Sequence, residues 1–148
     1  SKEAARRFKL KKIVWAITKK NPFKKKSSTS LTIRIKYCKK IIGKLNNIEV
    51  KFFENIIKSN KTISLINYFT KNKKNEIFFL MGADNLINFH KWHKWEKISE
   101  KCNIVVFDRH GYKKKSLNSM TFKRLKGKNF KFIEFNKVNI SSSQLRKI

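Results

Sequence analysis

One acidic residue stands in an unusual place in the segment FFLMGADNLINFHKWHKW, residues 78–95. An apolar run typical of a buried strand ends in Gly82-Ala83, and Asp84 follows at once. A helix is predicted to begin there, so the carboxylate and the first backbone N–H groups face the same space. Asp84 is therefore either a group that binds a ligand or a plain helix cap, a role that Asp fills well.

Polar groups also follow three other predicted strands. They are residues 21–24 (Asn-Pro-Phe-Lys), 108–112 (Asp-Arg-His-Gly-Tyr) and 140–146 (Ile-Ser-Ser-Ser-Gln-Leu-Arg). Serines followed by an arginine at a helix start form an anion site, because hydroxyls, N–H groups and a guanidinium converge. The simpler alternatives are that the serines cap a helix and that Lys24 is ordinary surface charge. Because ligands of parallel sheets bind beyond the carboxyl ends of the strands, the four segments together favour one ligand site.

Aromatic and histidine side chains follow Asp84. Tryptophans are more often part of a core than a ligand platform, but Leu86 and Phe89 already supply an inward stripe for a helix over 85–99. One of Trp92 and Trp95 is therefore expected at the rim of the cleft. The histidines at 90 and 93 lack a third ligand at matching spacing, so we predict no zinc site.

Strands and helices alternate along the chain. Strands are predicted at 11–17, 48–53, 75–81, 103–107 and 130–135, and helices at 2–10, 31–45, 62–69, 85–99 and near 117–126. In the second helix, Ser30 is the expected cap, and the inward face consists of Leu31, Ile35, Cys38, Ile41, Ile42 and Leu45. The alternation indicates an α/β domain with a mainly parallel sheet. Without a repeat or linker, residues 1–148 are expected to form a single domain.

The composition limits the class of protein. Nothing resembles a signal peptide or a membrane-spanning run, and two cysteines give no disulfide framework, so we expect a cytoplasmic protein without a membrane partner. The formal charge of +29 suggests nucleic acid, but six of the 38 basic residues are arginines. The abundance of Lys, Asn, Ile and Phe, which share A/T-rich codons, fits codon bias, and base readout favours arginine. A basic RNA- or ribosome-binding module stays an alternative, with nucleic acid a less favoured partner.

Four motifs, taken in order, resemble those of the bacterial nicotinate mononucleotide adenylyltransferases, particularly the α-proteobacterial branch. They are VWAITKKNPFK, FLMGADNLINFHKWHKW, FDRHGY and ISSSQLR. They resemble the family's Asn-Pro-Leu-Lys, Gly-Ala-Asp-x-Leu…Trp, Arg-Pro-Gly-Tyr and Ile-Ser-Ser-Thr-x-Leu-Arg motifs over nearly the whole chain. The resemblance implies a Rossmann-like nucleotidyltransferase domain that joins ATP and nicotinate mononucleotide into deamido-NAD, with Mg²⁺ accompanying ATP.

The resemblance also implies a role for each matching residue. Trp92 would stack on the nicotinate ring, and the backbone N–H at Thr62 would bind the nicotinate carboxylate. Asp84 would hold a ribose hydroxyl. The phosphate of the mononucleotide would lie against the segment of Asn21 and Lys24, with Arg109 a further phosphate contact. The ATP contacts would be Ile140 at adenine, and Ser142, Ser143 and Arg146 at the phosphates.

The chain departs from the family's pattern in two places. Ser64 and Leu65 stand where the family has Asp and Thr. The loop Gly-Gly-x-Phe-Asp-Pro-x-His-x-Gly-His, whose histidines contact the transferring phosphate, is absent from the 148 residues. Since SKEAARRF resembles the helix that follows this loop, we expect a domain truncated at both ends and inactive by itself. A catalytically inactive paralogue is the remaining alternative.

Overall fold

The structure is a computed structural model, and it describes residues 1–19, 29–72 and 74–134. The backbone divides into two compact units, Ser1–Asn60 and Lys61–Ile148. The expectation of a single domain stays a prediction. Within the described ranges, no helix is both long and apolar enough to cross a membrane.

The first unit pairs two parallel strands with helices. Its elements are α1 (Lys2–Phe8), β1 (Ile13–Ile17), α2 (Leu31–Ile42), β2 (Ile48–Phe52) and α3 (Glu54–Ile57). The register joins Ile13 to Ile48, and these two side chains form a small core with Ile42. Ser30 caps α2, since its Oγ accepts a hydrogen bond from the backbone N–H of Ile33 at 3.3 Å. The predicted cap is confirmed. The short helix α3 was not predicted.

The inward face of α2 is narrower than predicted. Ile42 is buried, whereas Ile41 is 72% exposed. Successive helical residues lie about 100° apart around the axis, so burial of Ile42 does not by itself bring Ile41 to the strands. Ile41 belongs instead to an outward row with Ile33 and Tyr37, spaced four residues apart and also exposed. The prediction that Ile41 points inward was wrong.

The second unit carries a three-stranded parallel sheet. Its elements are α4 (Thr62–Thr70), β3 (Phe78–Gly82), α5 (Ala83–Asn88), a 3₁₀ turn (Phe89–Lys91), α6 (Trp95–Lys101), β4 (Asn103–Phe107), α7 (Lys113–Leu117), α8 (Met120–Leu125) and β5 (Phe130–Ile133). The strand order is β3-β4-β5. The core packs Leu86, Phe89 and Ile98, all fully buried, beside Ile104 and Val106 of the central strand. The predicted α/β class with parallel strands is confirmed.

The helix predicted over 85–99 is broken. α5 ends at Asn88, a 3₁₀ turn follows, and α6 begins only after Lys94, whose φ of 53° is left-handed. The apolar residues here are spaced by three, from Leu86 to Ile98, and such a row drifts by about 60° per step around an α-helix. A 3₁₀ turn has three residues per turn and removes this drift locally. The break therefore lets Leu86, Phe89 and Ile98 all reach the core.

The helix predicted near 117–126 is also two helices. α7 ends at Leu117, and α8 begins after Ser119, whose Oγ accepts from the backbone N–H of Phe122 at 3.1 Å. A serine that accepts this bond is an N-cap, so it starts a new helix. The new start leads into the buried side chains of Thr121 and Leu125.

Candidate functional site

Asp84 lies where β3 passes into α5, but it does not cap the helix. The N-cap position is Gly82, with φ −82° and ψ 156°, and no side chain makes a capping hydrogen bond there. Asp84 is the second residue of α5. A capping hydrogen bond therefore does not account for this aspartate, although an acid in the first turn also complements the positive end of the helix dipole. Ligand binding by Asp84 stays a prediction.

The parallel register brings Asp84 against Arg109. Gly82 of β3 pairs with Phe107 of β4, and Asp84 and Arg109 each lie two residues beyond the pair. Their side chains meet, with Nη1 of Arg109 donating to Oδ2 of Asp84 at 2.6 Å. The Asp84 side chain is 25% exposed and the Arg109 side chain 46% exposed. The two predicted site residues from different strand ends thus share one contact.

The two oxygens of the Asp84 carboxylate have different surroundings. Oδ2 accepts from Arg109, whereas Oδ1 is buried and has no hydrogen-bond partner among the residues that the structure describes. Oδ1 lies over the backbone of Gly82, where an added Cβ would come within 2.5 Å of it. A buried carboxylate oxygen without a donor is unfavourable in a folded chain, so the position of this carboxylate calls for an explanation beyond stability.

Other charged groups lie at this sheet edge. Asp108 belongs to the predicted polar segment 108–112, whereas Lys113 and Glu134 were not singled out from the sequence. Asp108 follows β4 directly and is 4% exposed, and its backbone N–H donates to the carbonyl of Ile133 at 2.9 Å. Lys113 Nζ lies 2.7 Å from Oε1 of Glu134, the residue after β5, and this hydrogen bond raises the pKa of Lys113. Asp108 follows an apolar strand directly, as Asp84 nearly does, whereas no local pattern pairs Lys113 with Glu134.

Trp92 lies at the break between α5 and α6 and is half-buried. Its ring meets Phe89 edge to face, with centroids 5.3 Å apart, and Phe79 in the same manner at 6.0 Å. Trp95 also meets Phe89 edge to face, with ring centroids 5.8 Å apart. Both tryptophans therefore pack against the core while keeping part of their surface exposed. Stacking of Trp92 on a ligand ring stays a prediction.

Thr62 is the first residue of α4, where backbone N–H groups lack acceptors within the helix. The segments next to Thr62 and Trp92 line one cleft of about 270 Å³. Its lining residues are Lys61, Ile63, Ser64, Asn67, His93, Lys94, Lys97 and Lys101. No acid is among them, so the cleft favours an anionic group such as a carboxylate. The structure thus places the two predicted nicotinate segments side by side, although neither Thr62 nor Trp92 lines the cleft itself.

Six predicted site residues lie outside the described ranges. They are Asn21, Lys24, Ile140, Ser142, Ser143 and Arg146. Their proposed contacts stay predictions. Within the described ranges, no three His, Cys, Asp or Glu side chains stand close enough to hold a metal ion. His90 Nδ1 lies 3.4 Å from the hydroxyl of Thr121.

Comparison with known proteins gives the family. The cytidylyltransferase-like family model matches residues 1–148. A probable nicotinate-nucleotide adenylyltransferase of the α-proteobacterium Pelagibacter ubique is 63% identical over 148 residues, which are 100% of this chain and 82% of that protein. A second, from Agrobacterium fabrum, is 37% identical over 73% of this chain and 58% of its own length.

A solved structure shares the fold. Plasmodium falciparum nicotinic acid mononucleotide adenylyltransferase complexed with NaAD superposes with a TM-score of 0.68 at 20% identity, over 97% of this chain and 76% of that one. At this identity the match concerns the fold alone. With the family model and the Pelagibacter relative both spanning the chain, the protein belongs to the cytidylyltransferase-like family, within its nicotinate-nucleotide adenylyltransferases.

Proposed function

We propose that this protein transfers the adenylyl group of ATP to nicotinate mononucleotide, giving deamido-NAD and pyrophosphate. The observation that carries the proposal is the 63% identity over all 148 residues to a probable nicotinate-nucleotide adenylyltransferase. The geometry agrees, since Asp84 and Arg109 meet beyond the carboxyl ends of adjacent parallel strands, where such sheets bind nucleotides.

The chemistry is a displacement at phosphorus. A phosphate oxygen of the mononucleotide forms a bond to the α-phosphorus of ATP, while the bond from that phosphorus to the bridging oxygen breaks and its electron pair leaves with pyrophosphate. Such a transfer needs no covalent enzyme intermediate. The chain's part is to hold both nucleotides in line and to stabilise the charge that develops on the α-phosphate.

Three described residues supply contacts to the sugar and the base. Asp84, whose side chain is 25% exposed, accepts a ribose hydroxyl through its carboxylate. Trp92 stacks on the nicotinate ring with the part of its surface that the core leaves open. The first turn of α4 offers backbone N–H at Thr62 to the nicotinate carboxylate, beside the lysine-lined cleft. The carboxylate is what distinguishes nicotinate from nicotinamide, so we expect the acid to be preferred.

The remaining contacts are proposed from the resemblance alone. Asn21 and Lys24 hold the phosphate of the mononucleotide. Ile140 presents its backbone to adenine, and hydroxyls and a guanidinium at Ser142, Ser143 and Arg146 bind the phosphates of ATP. Mg²⁺ would be carried by the phosphates of ATP, and it supplies charge neutralisation there. Phosphate-held Mg²⁺ needs few protein ligands, which is compatible with the residues present.

We also propose a cytoplasmic location. The two cysteines, Cys38 and Cys102, are both free thiols. Proteins without disulfides are typical of reducing compartments.

The test is pyrophosphate release from ATP on addition of nicotinate mononucleotide. It requires this chain preceded by the family's histidine loop, with nicotinamide mononucleotide as the matched control. We expect release with the acid and at least tenfold slower release with the amide. Release without a mononucleotide would indicate simple ATP hydrolysis, and no release with either would contradict the proposed reaction.

A further inference from the structure

The guanidinium of Arg109 contacts a carboxylate of the same chain. Nη1 of Arg109 lies 2.6 Å from Oδ2 of Asp84, across the ends of two adjacent parallel strands. Both side chains are partly exposed. Ion pairs this accessible stabilise folded proteins little, so stability alone gives no reason for the contact.

The contact does fix the carboxylate. One oxygen of Asp84 is held by Arg109, and the other, Oδ1, is buried over Gly82 without a donor in the described part of the chain. A carboxylate tied at one oxygen cannot turn freely, so its second oxygen keeps one direction. Tying one oxygen in this way is what a precisely placed acceptor for a hydroxyl group requires.

We propose that Arg109 is a positioning residue: it holds Asp84 through Oδ2 and so fixes the direction in which the carboxylate accepts a ribose hydroxyl of the substrate. The inference rests on the proposed adenylyl transfer, because that reaction supplies the ribose. The resemblance assigned Arg109 a phosphate contact instead. The contact with Asp84 uses Nη1 alone, and a guanidinium carries five N–H donors, so experiment has to decide between the two roles.

The two assignments differ in what they predict for deoxyribose. If Arg109 acts through Asp84, its loss removes the discrimination between a ribonucleotide and its deoxy form. If Arg109 binds phosphate, its loss weakens both forms equally and leaves the ratio of their affinities unchanged. A purely structural role would lower the melting temperature and leave that ratio unchanged as well.

The experiment is a calorimetric titration of the chain with ATP, nicotinate mononucleotide and their 2′-deoxy and 3′-deoxy forms, in the presence of Mg²⁺. In the native chain we expect one deoxy form to bind about tenfold more weakly than its parent, the loss of about one good hydrogen bond to a charged group. In Arg109→Gln we expect the parent nucleotide to bind more weakly, so that the affinities of the parent and the deoxy form differ by less than about twofold.

Two further variants keep the test decisive. Arg109→Lys retains the charge but lacks the planar guanidinium, so we expect a ratio of affinities between those of the native chain and Arg109→Gln. If Arg109→Gln fails to fold, Arg109→Lys serves as the test variant. Lys113→Gln removes an equally basic residue that pairs with Glu134 at the neighbouring strand end, and it should leave the ratio at its native value.

Three outcomes would overturn the inference. An unchanged ratio in both Arg109 variants would restore the phosphate contact. A native chain that binds every deoxy form as well as its parent would mean that Asp84 does not read ribose, although adenylyl transfer itself would still stand. Failure of the native chain to bind either nucleotide would contradict the proposed function and this inference together.

Discussion

Gly82 and Asp84 are fitted to each other: a Cβ placed on Gly82 would lie 2.5 Å from Oδ1 of Asp84. The φ of −82° at Gly82 is one that any L-residue adopts, so backbone conformation does not require glycine here. What requires it is the carboxylate that folds back over the strand end. The Gly-Ala-Asp sequence therefore reflects a side chain that needs the space of a missing Cβ.

The first prediction is that Gly82→Ala displaces the Asp84 carboxylate. We expect the affinity for the nucleotide whose ribose contacts Asp84 to fall about tenfold, with far-UV circular dichroism unchanged, since only one charged side chain must move. Titration of the variant measures this.

The control for this prediction is a double-mutant cycle. In an Asp84→Ala background the methyl group has nothing to displace, so Gly82→Ala should cause no further loss of affinity. Equal losses in both backgrounds would show that the methyl group acts elsewhere.

The second prediction separates the two tryptophans. Trp92→Ala should weaken binding of nicotinate mononucleotide about fivefold, because a stacked aromatic contributes about 1 kcal/mol beyond the area it buries. Trp95→Ala is the matched control, since Trp95 packs on the same Phe89 ring but has no assigned ligand. We expect Trp95→Ala to lower the melting temperature and leave the affinity unchanged. Equal effects of the two variants on affinity would contradict the role of Trp92.

The third prediction concerns the buried thiol of Cys102. Burial raises the pKa of this thiol to about 12 from 9.0, and its Sγ donates to the carbonyl of Ile98 at 3.0 Å. The folded chain therefore keeps the proton at pH values where the unfolded chain releases it. The resulting stability is fully present below pH 9 and is lost as the pH rises toward 12.

Urea unfolding at several pH values measures this effect. The free energy of unfolding should fall more steeply with pH above 9 in the native chain than in Cys102→Ala, and the difference between the two curves isolates the thiol. Parallel curves would contradict the prediction. In Cys38→Ser, where Cys102 is the remaining thiol, iodoacetamide should react only after unfolding.

Local patterns in the sequence predicted where the strands end, but they did not predict which side chains meet across the sheet. An apolar run followed by Gly82-Ala83-Asp84 located the end of β3, because strand length and polarity are local properties. The contact between Asp84 and Arg109 depends on which strands are neighbours and in what register, and no local pattern encodes a contact between residues 25 positions apart. Parallel pairing implied a shared edge but not the ion pair.

Periodicity failed where two patterns competed. The three-residue spacing from Leu86 to Ile98 was visible in the sequence, yet it fits neither one α-helix nor one strand, and the chain resolves it with a 3₁₀ turn and a left-handed residue, Lys94. Ile41 and Ile42 are both apolar and adjacent, and only packing against the strands decides which of them is buried. In both cases packing against the core decides which apolar residues are buried, and hydrophobicity alone does not.

The last prediction concerns catalysis by the 148 residues alone. Their histidines are His90, His93 and His110, and none stands in a His-x-Gly-His sequence. In the family that the chain resembles, that loop contacts the phosphate being transferred. We therefore expect the chain to bind nucleotides through Asp84 and Trp92 but to turn over at least two to three orders of magnitude more slowly than a version extended upstream by the loop. That factor is about what the loss of one preorganised donor costs.

The measurement is pyrophosphate release by the two versions at equal saturation, with calorimetry confirming that both bind nicotinate mononucleotide. Replacing the two loop histidines by alanine in the longer version should lower its rate to that of the 148 residues. Comparable rates from the short and long versions would show that the groups stabilising the α-phosphate lie within residues 1–148 and that the loop is dispensable.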